Sequence, residues 1–214
     1  MQRPTGQKND CEELLQTLPD RKTGTAACCC QYQHSWFPVK YFRRILSAKN
    51  NFKAHETDII LATMPKAGTT WLKALIFSIV NRHLYNSSLN ESPLLSSNSH
   101  DLVPFLELDI YRVDENPGPG IHSFSKNLGN PRWNLKRSRL SVDEACEMYC
   151  NGVHPFGPFW DHVLGFWNAS LEKPDTILFL KYEELKEDIG LSLKKMAEFM
   201  GVPFSADEVR LGGG

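Results

Sequence analysis

The chain has 214 residues, of which 41% are hydrophobic, 11% aromatic and 23% charged, the balance of a soluble globular protein able to bury a real core. Its formal net charge of −1 argues against nucleic acid or an anionic membrane as partner, since both draw a broad basic face, so any anion site must be local. No window is apolar and long enough to span a bilayer, and residues 1–30, punctuated by Lys8, Asp10, Glu12, Glu13, Asp20 and Arg21, hold no secretory apolar stretch. A cytoplasmic location is expected, where thiols stay reduced.

Taken in chain order, residues 1–30 show no clear periodicity and read as a flexible leader, with Cys28, Cys29 and Cys30 as free thiols on a mobile tail. Residues 31–214 are expected to form a single domain. From Trp36 to Phe52 the aromatic-rich segment predicts a short helix with Tyr41, Arg44, Ile45 and Ala48 on one side. Asp58–Thr63 is a continuous apolar run, the pattern of a strand buried on both faces of a parallel sheet. Apolar residues then recur at Trp71, Leu72, Leu75, Ile76, Ile79 and Val80, one stripe of a helix ending near Arg82.

Between Tyr111 and Thr176 the sequence offers two helices and no credible strand. Ser141 and Glu144 form a capping box for the first, which closes at Gly152 and carries Cys146 and Cys150 as expected buried thiols. Trp160, Val163, Leu164, Trp167 and Leu171 stripe the second, which stops before Pro174. Thr176–Leu180 reads as the second buried strand, and Ile189, Leu193, Met196, Ala197 and Met200 stripe a last helix ended by Gly201. The alternation predicts an α/β fold: a P-loop-like open parallel sheet flanked by helices, lacking at least one expected central strand.

The segment from Met64 to Trp71 carries the chemistry. It joins a strand to a helix N-terminus, where unpaired backbone N–H groups and the positive end of the helix dipole face an incoming anion. Lys66 brings a mobile ammonium, Gly68 admits close backbone approach, and the hydroxyls of Thr69 and Thr70 are candidate donors. The nucleotide-triphosphatase form of such a loop, G-x-x-x-x-G-K-[ST], puts its lysine beside the helix with a hydroxyl directly after it. Here the lysine precedes the glycine, which disfavours a kinase or nucleotide triphosphatase.

P-K-x-G-T-T-W after D-I-I-L-A resembles the donor loop of the cytosolic sulfotransferases, plant-type members in particular. Trp36-Phe37-Pro38, the segment from His100 to Glu107, the segment from Phe156 to His162 and the segment from Leu180 to Leu185 resemble further family motifs, in family order from about Tyr32 to Glu208. The resemblance implies a sulfonate donor, 3′-phosphoadenosine 5′-phosphosulfate (PAPS), transfer to a hydroxyl of a small acceptor, and no metal. It assigns the donor site to Lys66, Ala67, Gly68, Thr69, Thr70 and Trp71. Lys66 is the catalytic residue on the departing phosphate, and Trp71 and Tyr182 lie on the adenine side. Ala67 stands where serine is usual.

Three family elements are not found. Asn130-Pro131-Arg132 runs directly into Trp133-Asn134, without the strand and Thr-His-Leu/Ile-Pro segment whose histidine takes the acceptor's proton. The strand leading to the serine that grips the donor's 3′-phosphate is missing as well, and the sequence ends before the Arg-Lys-Gly-x-x-Gly-Asp-Trp segment. The catalytic role therefore transfers to none of the seven histidines, with His100, on the acceptor-side segment, the one to test as a substitute. Loss of a general base typically lowers the rate by about 10²–10⁴. A catalytically impaired nucleotide-binding remnant of the family is the alternative expectation.

Overall fold

The computed structural model describes residues 6–23, 27–64, 67–85, 92–106, 121–125 and 141–211. In chain order these form α1 (Gly6–Thr17), β1 (Asp20–Thr23), β2 (Ala27–Tyr32), β3 (Ser35–Pro38), α2 (Val39–Asn51), β4 (Ile59–Thr63) and α3 (Thr69–Tyr85). There follow α4 (Ser99–Leu102), β5 (Ile121–Ser125), α5 (Val142–Cys150), α6 (Phe159–Glu172), α7 (Tyr182–Glu187), α8 (Ile189–Phe199) and α9 (Ala206–Leu211). The chain divides into two compact units, the first from residues 1–53, 107–116 and 128–164 and the second from 54–106, 117–127 and 165–214. Among the described residues no helix is long and apolar enough to cross a membrane.

The first unit is built on an antiparallel sheet in the order β1-β2-β3. Successive residues of a strand point to opposite faces, and here that rule separates two adjacent cysteines. Cys30, 1% exposed, joins Cys11 and Phe42 in one cluster, while Cys29, 0% exposed, joins Trp36 and Val153 in another. Burial pushes the Cys30 thiol up to about 11, against a partial opposing effect of its backbone hydrogen bond. The expected leader is thus folded over 6–23 and 27–30. Cys11, Leu14, Leu15 and Leu18 fall at helical spacing and pack beside Phe42, a stripe that shows once cysteine is counted as apolar.

Cys146 and Cys150 are exposed on α5, which has no buried residue. The expected assignment of buried and mobile thiols is therefore reversed. The capping box forms as expected, Ser141 Oγ accepting from the Glu144 N–H and the Glu144 carboxylate accepting from the Ser141 N–H. The chain turns after α5 and lays Phe156-Gly157 along β3: the Phe156 N–H donates to the Trp36 carbonyl at 2.6 Å and the Trp36 N–H to the Gly157 carbonyl at 2.9 Å.

In the second unit β4 pairs in parallel with β5, Ile59 opposite Ile121 through Thr63 opposite Ser125. β5 lies in the stretch read as strandless. Ile121-His122-Ser123-Phe124-Ser125 has too few apolar residues to register as a buried run, and its period of two is all that marks it. β4 itself is not buried on both faces, since Leu61 enters the core and Ile60 is 44% exposed. Helix α3 runs one turn beyond Arg82 and buries Leu72, Ile76 and Ile79 against Leu61, Leu185, Met196 and Ala197. Thr176–Leu180 joins no ladder among the described residues, yet Leu178 and Leu180 pack on this core while Phe179 meets Trp167 edge to face at 5.4 Å. The alternation is that of a strand without the hydrogen bonds of one.

α6 forms as predicted, but Trp160, Leu164, Trp167 and Leu171 all remain exposed along it. Arg82 joins the end of α3 to the approach to α9. Its guanidinium donates to Glu208 Oε1 at 2.8 Å, the Ile79 carbonyl at 2.9 Å and the Pro203 carbonyl at 2.7 Å, and lies over the Phe204 ring. The Ser205 backbone N–H and the Arg82 guanidinium together hold the Glu208 carboxyl down at about 2, from an ordinary 4.5. Because this folded value is depressed, the ion pair stabilises the fold above the ordinary value and lets go as the pH falls toward 2.

Two measurements check this account. In the native protein a thiol reagent should modify Cys146 and Cys150 rapidly and Cys29 and Cys30 only after denaturation, as mass-mapped labelling will read. Gln33 and His34, at φ 49° and 65°, form the two-residue turn between β2 and β3, a position that favours Asn-Gly. Replacing them together, Gln33→Asn with His34→Gly, should stabilise by about 1 kcal/mol and raise Tm by roughly 2–4 °C.

Candidate functional site

The loop between β4 and α3 is held at both ends. The Thr63 and Thr69 hydroxyls lie 2.6 Å apart, joining the last residue of β4 to the first of α3. The Ala67 N–H donates to the Met64 carbonyl at 3.1 Å, and the Leu72 N–H donates to the Gly68 carbonyl at 2.9 Å. Gly68 therefore accepts the first bond of the helix, at φ +89°, a backbone geometry that side chains disfavour. Pro65 and Lys66 lie outside the described residues.

Helical phase decides which loop residues face outward. Thr69, 3% exposed, shares the inward face with Leu72, Ile76 and Ile79, so its hydroxyl is turned toward Thr63. Thr70 and Trp71 are exposed. Of the two expected threonine donors, Thr70 is the one on the solvent side, beside the unpaired N–H groups of the first turn.

Trp71 and Tyr182 come from segments more than a hundred residues apart, yet their ring centroids lie 6.4 Å apart at 69°. With Leu185, Lys186 and Ile189 they line a cavity of about 400 Å3. The sequence had singled out the two aromatics; Lys186 and Ile189 escaped it. The available signal was helical spacing, since Lys186 follows Tyr182 by four residues on α7.

On the other flank α4 meets the loop. Ser99 Oγ donates to the Thr70 carbonyl at 3.1 Å, and His100 Nε2 lies 3.1 Å from Thr70 Oγ1. The His100 ring stacks on Phe105 with centroids 5.0 Å apart. Lys73, 0% exposed on the inward side of α3, sets its ammonium 3.1 Å from the Phe105 centroid, a cation–π contact. The sequence analysis did not single out Lys73. The segments 107–120 and 126–140, which include Lys136, Arg137 and Arg139, lie outside the described residues.

With this geometry in place, the chain can be set beside known proteins. A sulfotransferase domain matches over residues 56–133 and 121–211. The chain is 36% identical to cytosolic sulfotransferase 5 of Arabidopsis thaliana, over 93% of this chain and 73% of that protein. It superimposes on a proposed steroid sulphotransferase of Arabidopsis thaliana with a TM-score of 0.78 and 33% identity, over 92% of this chain and 81% of the other. Retinol dehydratase, solved with retinol and the desulfated nucleotide PAP, matches with a TM-score of 0.55 and 15% identity over 98% of this chain and 77% of the other. The last likeness is one of fold.

Gly68 offers a check of the loop's geometry. A Cβ there would meet nothing within 4 Å, so Gly68→Ala tests backbone strain alone. It should destabilise the protein by about 1–2 kcal/mol in urea unfolding, and Gly68→Asn by less.

Proposed function

The chain belongs to the plant cytosolic sulfotransferase family, and from that premise we propose that it binds PAPS on the β4–α3 loop and transfers the sulfuryl group to a hydroxyl of a small acceptor. The observation that carries this reading is the turn itself: Gly68 opening a helix whose first exposed residues are Thr70 and Trp71, with Trp71 set against Tyr182. The 5′-phosphosulfate lies across Lys66 to Thr70, held by first-turn N–H groups, the Thr70 hydroxyl and the Lys66 ammonium. The adenine takes the open cavity lined by Trp71, Tyr182, Leu185, Lys186 and Ile189, whose aromatic side suits a flat base. Residues 31–214 act together as the sulfotransferase domain, in a cytosolic protein like its named relative.

Transfer is an in-line displacement. The acceptor oxygen forms a bond to sulfur as the bond from sulfur to the bridging phosphate oxygen breaks, the acceptor's proton leaves to a base, and Lys66 stabilises the charge left on the phosphate. The acceptor class follows the relative named for steroids. A steroid alcohol carries its hydroxyl on an apolar skeleton.

A second reading keeps nucleotide binding and loses turnover. It is favoured by the domain match falling in two stretches that meet at residues 121–133, where the sequence passes from Arg132 to Trp133 without the family's histidine segment. It is favoured as well by Thr176–Leu180, which packs like a strand of a parallel sheet but joins no ladder among the described residues.

Isothermal titration with PAP tests the shared part. Three or four charge-assisted hydrogen bonds of roughly 1.5–3 kcal/mol each support a micromolar complex, near −8 kcal/mol. Lys66→Ala should abolish detectable binding, and equal affinity in that variant would remove the loop from the site. Sulfonation of a test phenol by PAPS then separates the two readings: measurable turnover supports the transferase and excludes the remnant.

A further inference from the structure

We infer that His100 is a positioning residue of the donor loop, one that aims the Thr70 hydroxyl at the nucleotide's anion and so ties the acceptor-side segment to the donor site. The inference rests on the PAPS-binding reading and deepens it. His100 comes from α4, a single turn whose start is fixed by the Asn98 side chain accepting from the His100 N–H at 2.9 Å. Its ring is stacked on the buried Phe105, and its Nε2 reaches Thr70 Oγ1 at 3.1 Å. Ser99, the neighbour of His100 and itself buried, bonds the carbonyl of the same threonine. Two consecutive residues of one segment thus hold the backbone and the side chain of Thr70.

The chemistry of that contact is directional. A threonine hydroxyl has one proton and two acceptor sites. If Thr70 donates to Nε2, its lone pairs face the solvent side, where they repel an anion. If Nε2 carries the proton and donates to Oγ1, the hydroxyl proton is released toward the ligand. A chain then runs from Nε2–H to Oγ1–H to a phosphate or sulfonate oxygen, each bond polarising the next. Thr69 has no such arrangement, because its hydroxyl is turned inward to Thr63. His100 therefore decides whether the exposed hydroxyl of the loop attracts the anion or opposes it, and nucleotide binding selects the tautomer with its proton on Nε2.

The experiment is PAP titration of the full chain and a set of variants, each melted first to establish that it folds. His100→Leu removes the donor and should weaken binding about tenfold, the scale of one charge-assisted bond. His100→Asn is polar but too short to reach Oγ1 and should match it, which keeps the test open if the leucine variant fails to fold. His100→Gln carries an amide N–H group to the place of Nε2 and should return the affinity to within about threefold of the parent, a rescue that a packing role does not predict. Thr70→Val should weaken binding by the same factor, and the double variant Thr70→Val with His100→Leu no further. Unchanged affinity in His100→Leu or His100→Asn, a glutamine variant as weak as these, or losses that multiply in the double variant would each overturn the proposal while leaving the loop as the nucleotide site. A parent chain that binds no PAP overturns the site along with it.

Discussion

One hydroxyl pair sets the frame for the rest of the second unit. Thr63 and Thr69, 2.6 Å apart, fasten the exit of β4 to the entry of α3 across a five-residue turn. With that junction fixed, and with the Gly68 carbonyl starting the helical ladder, the rotational phase of α3 follows. Thr69, Leu72, Ile76 and Ile79 must face inward, and Thr70 and Trp71 must face out. The core with Leu185 and Met196 and the solvent-facing side of the loop are two consequences of one angular setting. A helix rotated by one residue would bury Thr70, expose Leu72 and leave neither a core nor a site.

How much of this was legible depended on whether the signal was local. The strand, turn and helix from Ile59 to Tyr85 were readable because every feature of them lies within one segment: an apolar run, a glycine where φ is positive, and a stripe of period 3.6. The capping box at Ser141 and Glu144 was readable for the same reason. The pairing of Trp71 with Tyr182 followed from family resemblance, since no local pattern links residues so distant. What escaped was long-range or sparse. β5 has a weak pattern and gains its identity from β4 beside it. Cys29 and Cys30 looked like a tail because three adjacent cysteines have no period, yet a strand sends neighbours to opposite faces and found a separate apolar cluster for each.

The flanks of the loop divide its tasks by chemistry. Toward α7 the surroundings are aromatic and aliphatic, with Trp71, Tyr182, Leu185 and Ile189 around a cavity. Toward α4 they are polar, with Ser99 and His100 bonded to Thr70. A nucleotide carries the same asymmetry, a flat base at one end and anionic oxygens at the other.

Arg82 closes a circuit of the chain. Its bonds to Pro203 and Glu208 bring together points separated by 121 and 126 positions, and what lies between must return to the same place whatever its length. The entropy of closing such a circuit grows only with the logarithm of its size, about 0.6 kcal/mol for each doubling. Losing or gaining a few tens of interior residues therefore alters that cost by a fraction of the thermal scale. Evolution can cut or extend the interior of this circuit while one guanidinium keeps its two ends in register.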